Sequence, residues 1–134
     1  MIDWDIIAVK RKETAKNMKS EDNLKLRYVG TTAIFSVLGE IDHHSAKVIK
    51  NAVDAELLVK RPDALVLDLS AVNFMDSSGL GLILGRYQSA TKLGIEFSLY
   101  EPTEAVMKLL KIAGCDRIIN ITRRNKNGKE SKIS

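Results

Sequence analysis

The chain is short of the residues that most directly announce a function. It has one cysteine, Cys115, in 134 residues. A lone thiol cannot close a disulfide within the chain, and a metal site needs more ligands, so the composition fits a reducing compartment. Aromatic residues make up only 5% of the sequence, which argues against a base-stacking surface for single-stranded nucleic acid. No apolar run approaches the ~20 residues of a membrane span. The opening stretch "MIDWDIIAVKRKE" begins acidic and has no long apolar core, so it does not read as a signal peptide. The expectation is a cytoplasmic chain that contacts neither membrane nor DNA directly.

What is present is ordinary for a soluble domain: 45% hydrophobic and 28% charged residues, in a length that suits one domain. The net charge of +4 is unevenly placed. Residues 1–20 carry Lys10, Arg11, Lys12, Lys16 and Lys19 against Asp3, Asp5 and Glu13. Residues 122–134 carry Arg123, Arg124, Lys126, Lys129 and Lys132 against Glu130 alone, leaving the middle of the chain slightly acidic. A nucleic-acid binder carries its basic stripe on the folded surface; basic ends are read as solvated. Three regions follow: an N-terminal extension over 1–20, a folded domain over 21–121 and a basic tail over 122–134. The extension and the tail are both expected to be mobile. Met18 stands just before the folded pattern and is a candidate native start.

Within 21–121 the hydrophobic pattern alternates in period. "LKLRYVG" and "TTAIFSVLG" read as a hairpin, with Gly39 closing the second strand. "EIDHHSAKVIKNAVDAELLVKRPD" reads as a helix capped by Asp42 or Ser45, with Ile49, Ala52, Val53 and Leu57 facing inward. "ALVLDLS" (Ala64–Ser70) is a buried strand, followed by a loop "AVNFMD" and a helix from about Ser78 to Leu93. Leu80, Ile83, Leu84 and Tyr87 form its inner stripe. "IEFSLY" is a strand, Pro102 opens a helix with Val106, Leu109 and Leu110 facing in, and "CDRIINIT" is a last strand. The order β-β-α-β-α-β-α-β predicts an α/β fold, a mixed sheet with helices packed against it.

Enzyme chemistry finds little support. The hydrolase elbow needs Gly-x-Ser-x-Gly; with Ser77 central, Met75 stands where the first glycine belongs. His43 and His44 are adjacent and so point in different directions, and no third metal ligand has useful spacing. Gly79, Gly81 and Gly85 resemble a dinucleotide turn, but the third glycine comes one place late. Close packing of helix on sheet is the plainer role for Gly81 and Gly85, because a spacing of four puts them on one face.

The pair Ser77-Ser78 after Asp76 is the remaining feature. One side-chain oxygen is explained by helix capping. If Asp76 or Ser77 caps, Ser78 falls in the first turn. A phosphate there meets unpaired N–H groups and the positive end of the helix dipole. It would place about −1.5 to −2 charges on a surface that a partner must cover. Simple capping and a phosphorylated switch both remain open on these grounds.

"NFMDSSGLGLILGRYQ" (73–88) resembles the phosphorylation segment of the bacterial anti-sigma factor antagonists of the STAS domain family. "LGEIDHHSA" (38–46) resembles that group's second signature, and "AGCDRII" extends the likeness, which runs from about Leu24 to Ile121 and is nearest to the sporulation antagonists. The resemblance implies a small non-catalytic STAS-like domain that needs no cofactor. Unphosphorylated, it binds an anti-sigma factor that is also a serine kinase, and the sigma factor is released. The kinase phosphorylates Ser78, binding is lost, and a phosphoserine phosphatase resets the cycle. Asp76, Ser77 and Gly79 flank the phosphoacceptor and contact the kinase; Asp42 and His43 lie beside that surface. The alternative is a STAS binding module in a different stress-signalling complex, using the same serine with another partner. Family members finish with a further helix, which "RRNKNGKESKIS" does not read as.

Overall fold

Gly30, at φ 59°, makes the tight turn of a two-residue connection, and the apolar runs on either side pair as antiparallel strands β2 (Leu24–Val29) and β3 (Thr32–Ile41). The computed structural model describes residues 19–21, 23–124 and 130–133, with side chains over 23–123. After the hairpin the chain alternates: α1 (His43–Lys60), β4 (Ala64–Met75), α2 (Ser77–Lys92), β5 (Glu96–Tyr100), α3 (Glu104–Ile112), a short 3-10 turn (Cys115–Arg117) and β6 (Asn120–Arg124). Two short strands, β1 (Lys19–Glu21) and β7 (Glu130–Ile133), pair antiparallel at the two edges.

The sheet order is β1-β2-β3-β4-β5-β6-β7, and β3 to β6 are mutually parallel. Each parallel strand lies beside the one before it, always advancing in the same direction. Right-handed crossovers then deliver all three helices to one face. The main core forms there: Ile49, Val53 and Leu57 of α1, Leu82 and Ile83 of α2, and Val106 and Leu110 of α3 bury against Phe35, Leu65, Leu67 and Leu99. Tyr87 meets Phe97 with ring centroids 6.3 Å apart, seating α2 on β5. Leu80, Leu84 and Leu109, expected to face in, are only partly buried, while Leu82 and Met107 go deeper.

Several boundaries differ from those read in the sequence. Gly39 does not end β3. At φ 83° it sits in an irregularity of the β3–β4 ladder, where a residue in the left-handed region lets the strand bulge and continue. β4 likewise runs past Ser70 to Met75, so the expected loop 71–76 is mostly strand, paired through Leu38↔Ala71, Gly39↔Val72, Glu40↔Phe74 and Ile41↔Met75. Cys115–Arg117 is a 3-10 turn, and the last parallel strand starts only at Asn120.

The terminal regions also differ in part. Lys19 and Ser20, counted in the extension, belong to β1; residues 1–18, with Met18, lie outside the described residues. The tail was expected to lack regular structure. Instead β6 continues to Arg124, and β7 returns beside it with Arg124 opposite Glu130 in the register. Residues 125–129 and Ser134 lie outside the described residues.

Candidate functional site

β3 and β4 are longer than their neighbour. β5 ends at Tyr100, level with Asp68, whereas β3 and β4 continue to Ile41 and Met75. This two-strand projection carries two helix starts side by side. Asp42 follows β3 and Asp76 follows β4, and the backbone N–H of Asp76 donates to the Ile41 carbonyl at 3.2 Å. Thr103, which caps α3, is tied to the same end of the sheet by a 3.0 Å hydrogen bond from its hydroxyl to the Val72 carbonyl.

Asp42 closes a full capping box. Its carboxylate accepts from the Ser45 N–H at 2.9 Å, its own N–H donates to the Ser45 hydroxyl at 3.0 Å, and that hydroxyl donates to the Glu40 carbonyl at 2.9 Å. Of the two residues the sequence offered as cap, Asp42 takes the role and Ser45 reciprocates. The Ser45 N–H holds the Asp42 carboxyl below the usual carboxylate range, with His44 helping.

Asp76 caps α2 by accepting from the Ser78 N–H at 2.8 Å. Ser77 and Ser78 are therefore the first two helical residues. Ser77 is exposed and Ser78 half-buried. Neither hydroxyl is needed for the cap, and among the described residues Ser78 Oγ has no hydrogen-bond partner.

Gly79 explains how α2 comes so close to the strand ends. A Cβ there would collide with the Met75 side chain and stand 3.2 Å from Ile41 Cγ2. Gly81 and Gly85, expected to be the packing glycines, have open space where a Cβ would go. They are on the side of α2 turned toward α1 and line a groove of about 490 Å³ between the two helices.

His43, Lys47 and Lys50 border that groove from α1, and Ser78 and Arg86 from α2. Arg86 is buried and its Nε lies 3.0 Å from Asp54 Oδ1; Lys50 Nζ reaches Asp54 Oδ2 at 3.1 Å. The structure thus brings Asp42, His43, Asp76, Ser77, Ser78 and Gly79 to one end of the α1–α2 pair. It adds Lys47, Lys50, Asp54 and Arg86, which sequence reasoning missed. Their signal was present: positions 43, 47, 50 and 54 recur at helical spacing and mark a polar stripe on α1. Phe74, two residues before the Asp76 cap, is half-exposed on the same projection. Among the described residues no three potential ligands come together to hold a metal ion, and no helix is long and apolar enough to cross a membrane.

A family model described as "STAS domain" matches residues 23–127. The chain belongs to the STAS domain family. An anti-sigma F factor antagonist of Paenibacillus polymyxa is 35% identical over 88 residues, spanning 66% of this chain and 75% of that one. An anti-sigma-B factor antagonist of Listeria monocytogenes is 35% identical over 85 residues, spanning 63% and 74%. The anti-sigma factor antagonist SpoIIAA in its unphosphorylated form superposes with a TM-score of 0.68 at 24% identity, covering 78% of this chain and 90% of that one. The phosphorylated form of Bacillus SpoIIAA gives 0.63 at 23%, covering 78% and 93%. At that identity the solved structures establish a common STAS fold, in which the parallel strands and the three helices found here are the shared frame.

Proposed function

We propose that this STAS protein is an anti-sigma factor antagonist switched by phosphorylation of Ser78. In its unmodified form it binds an anti-sigma factor that is also a serine kinase, and the sigma factor is released. Transfer of a phosphoryl group from ATP to Ser78 weakens that binding, and a phosphoserine phosphatase restores it. The chain itself performs no catalysis, needs no cofactor, works in the cytoplasm and touches no DNA. The names of its relatives support the antagonist role. The observation that carries the switch is the position of Ser78: second residue of α2, its N–H already taken by Asp76, its hydroxyl without a partner among the described residues, at the mouth of the α1–α2 groove.

The physical consequence of modification follows from that position. A phosphate at a helix N-terminus is tolerated by the helix dipole and by free N–H groups, so the fold stays intact. The change falls on the surface, where about −1.5 to −2 charges appear beside Asp42, His43, Ser77 and Phe74. A partner that covers this patch must then desolvate a dianion, which is costly.

The direct test is to mix the protein with its candidate kinase and ATP and to map the phosphate. Phosphate on Ser78, with Ser78→Ala retaining kinase binding under all conditions and Ser78→Asp binding at least tenfold more weakly, is the expected result. Phosphate on Ser77 with Ser78 untouched would show that the assignment is wrong.

A further inference from the structure

The register of β3 on β4 sets α1 and α2 in step. Ile41 pairs with Met75, and each helix begins two residues later, at His43 and at Ser77. Both helices follow parallel strands and run back the same way. Lys47, four residues after His43, therefore stands level with Gly81, and Ser78 comes between the levels of His43 and Lys47. His43, Lys47, Ser78 and Gly81 all border the groove between the helices, whereas Ser77 does not. Gly81 has open space where a Cβ would be, so α2 sends no side chain across the groove at the level of Lys47.

Lys47 is a cation without a counter-ion. It is exposed, and among the described residues it has no ion pair and no side-chain hydrogen bond. Its own helix supplies no acid: the neighbours a turn away are His43, His44, Lys50 and Asn51. Across the groove, Gly81, Leu82 and Gly85 are uncharged and Arg86 is itself a cation. Asp54 is already engaged by Arg86 and Lys50.

We propose, resting on the reading of Ser78 as the phosphorylated residue, that Lys47 receives that phosphate: its ammonium pairs with the phosphoryl oxygens across the mouth of the groove and clamps α1 to α2. Two carboxylates push the group the same way. Asp76 accepts the Ser78 N–H at 2.8 Å, and Asp42 caps the adjacent helix, so a dianion on Ser78 is repelled by both caps and drawn toward the basic side of the groove. His43, on the same face of α1 as Lys47, adds an imidazole N–H. A charge-assisted hydrogen bond from ammonium to phosphate is the strong kind. Only the flexible four-carbon stem of Lys47 has to turn; neither helix shifts. The modified form is then the more tightly tied of the two, with its phosphate held over the groove rather than standing free in solvent.

Phosphoserine inserted at position 78 during translation gives the modified protein without a kinase. Its second phosphate ionisation, ordinarily ~6, is read by phosphorus NMR. Lys47→Ala should raise that value by about half a unit or more, because removing the cation removes its preference for the dianion. Lys47→Arg should not, and phosphoserine placed at 77 should be indifferent to Lys47→Ala. In low salt Lys47→Ala should lower the melting temperature of the phosphorylated chain by a few degrees and should not lower that of the unmodified chain, which a merely structural lysine would not do. A phosphate that titrates alike with and without Lys47, or a melting loss equal in both forms, would reject the clamp. Kinase binding is measured separately on the same samples, so a failed clamp leaves the switch standing and a failed switch leaves the titration to be judged by itself.

Discussion

The N–H of Asp76 donates to the carbonyl of Ile41 at 3.2 Å, so the cap of α2 hangs from the last residue of β3. Asp42 follows Ile41 directly, which makes the two helix starts neighbours through the backbone ladder rather than through side chains. Substitutions at this end should therefore have local and separable effects.

Gly79 and Gly81 are two residues apart and should respond in opposite directions to alanine. At Gly79 a Cβ meets the Met75 side chain and Ile41, so Gly79→Ala should destabilise by about 1–3 kcal/mol through overpacking. At Gly81 a Cβ meets open space, so Gly81→Ala should gain about 0.5–1 kcal/mol from helix propensity. Chemical denaturation of the two variants checks the sign of each.

Asp42 gives a pH signature. Its carboxyl pKa is lowered in the fold by the Ser45 N–H. A group whose folded pKa is depressed stabilises fully above its unfolded value, near ~3.9 for aspartate. That contribution is lost as pH falls through the lower folded value. An NMR titration should find Asp42 titrating below the ordinary range, and Asp42→Asn should remove this part of the acid dependence while still capping α1.

Asp54 holds two cations of very different worth. Lys50 is half-exposed in its pair, whereas the Arg86 side chain is 7% exposed. An exposed pair of this kind contributes only ~0.2–1 kcal/mol; a buried guanidinium left without its carboxylate costs about 1–3 kcal/mol. Lys50→Ala should be nearly silent in thermal melts, and Asp54→Ala should not. If both variants melt alike, Arg86 does not depend on Asp54.

Cys115 is fully buried, and burial, with Asp116 adding to it, pushes its thiol pKa up. Only the thiolate reacts. Native protein should resist alkylation at neutral pH and react promptly once denatured; fast labelling of the native form would contradict this environment.

The fold is most legible in the sequence where periodicity and caps agree. The α1 stripe Ile49, Val53, Leu57 and the core strand Leu65–Leu69 are buried as patterned. It is least legible where the partner strand, rather than local pattern, decides. Past Ser70 the alternation of β4 fades into exposed Ala71, Asn73 and Phe74, and only pairing with β3 keeps that stretch extended. Gly39 reads as a stop but serves as a bulge, because the ladder on either side of it holds the strand in place. Gly81 and Gly85 look like packing residues by spacing alone, yet which face of α2 meets the sheet is fixed by Gly79 against Met75. Asp42, Asp76 and the serines were legible because capping is local chemistry. The groove was not, because it needs two helices placed side by side; only its α1 border, positions 43, 47, 50 and 54, leaves a periodic trace.

The projection of β3 and β4 beyond β5 has one last consequence. Both caps are anchored to rigid ladder ends with no glycine hinge between strand and helix, so a group added at Ser78 has nothing to swing or unlatch. Information written there would be readable only by touch, and the speed of the response would belong to the enzymes that write and erase it, not to any rearrangement of this protein.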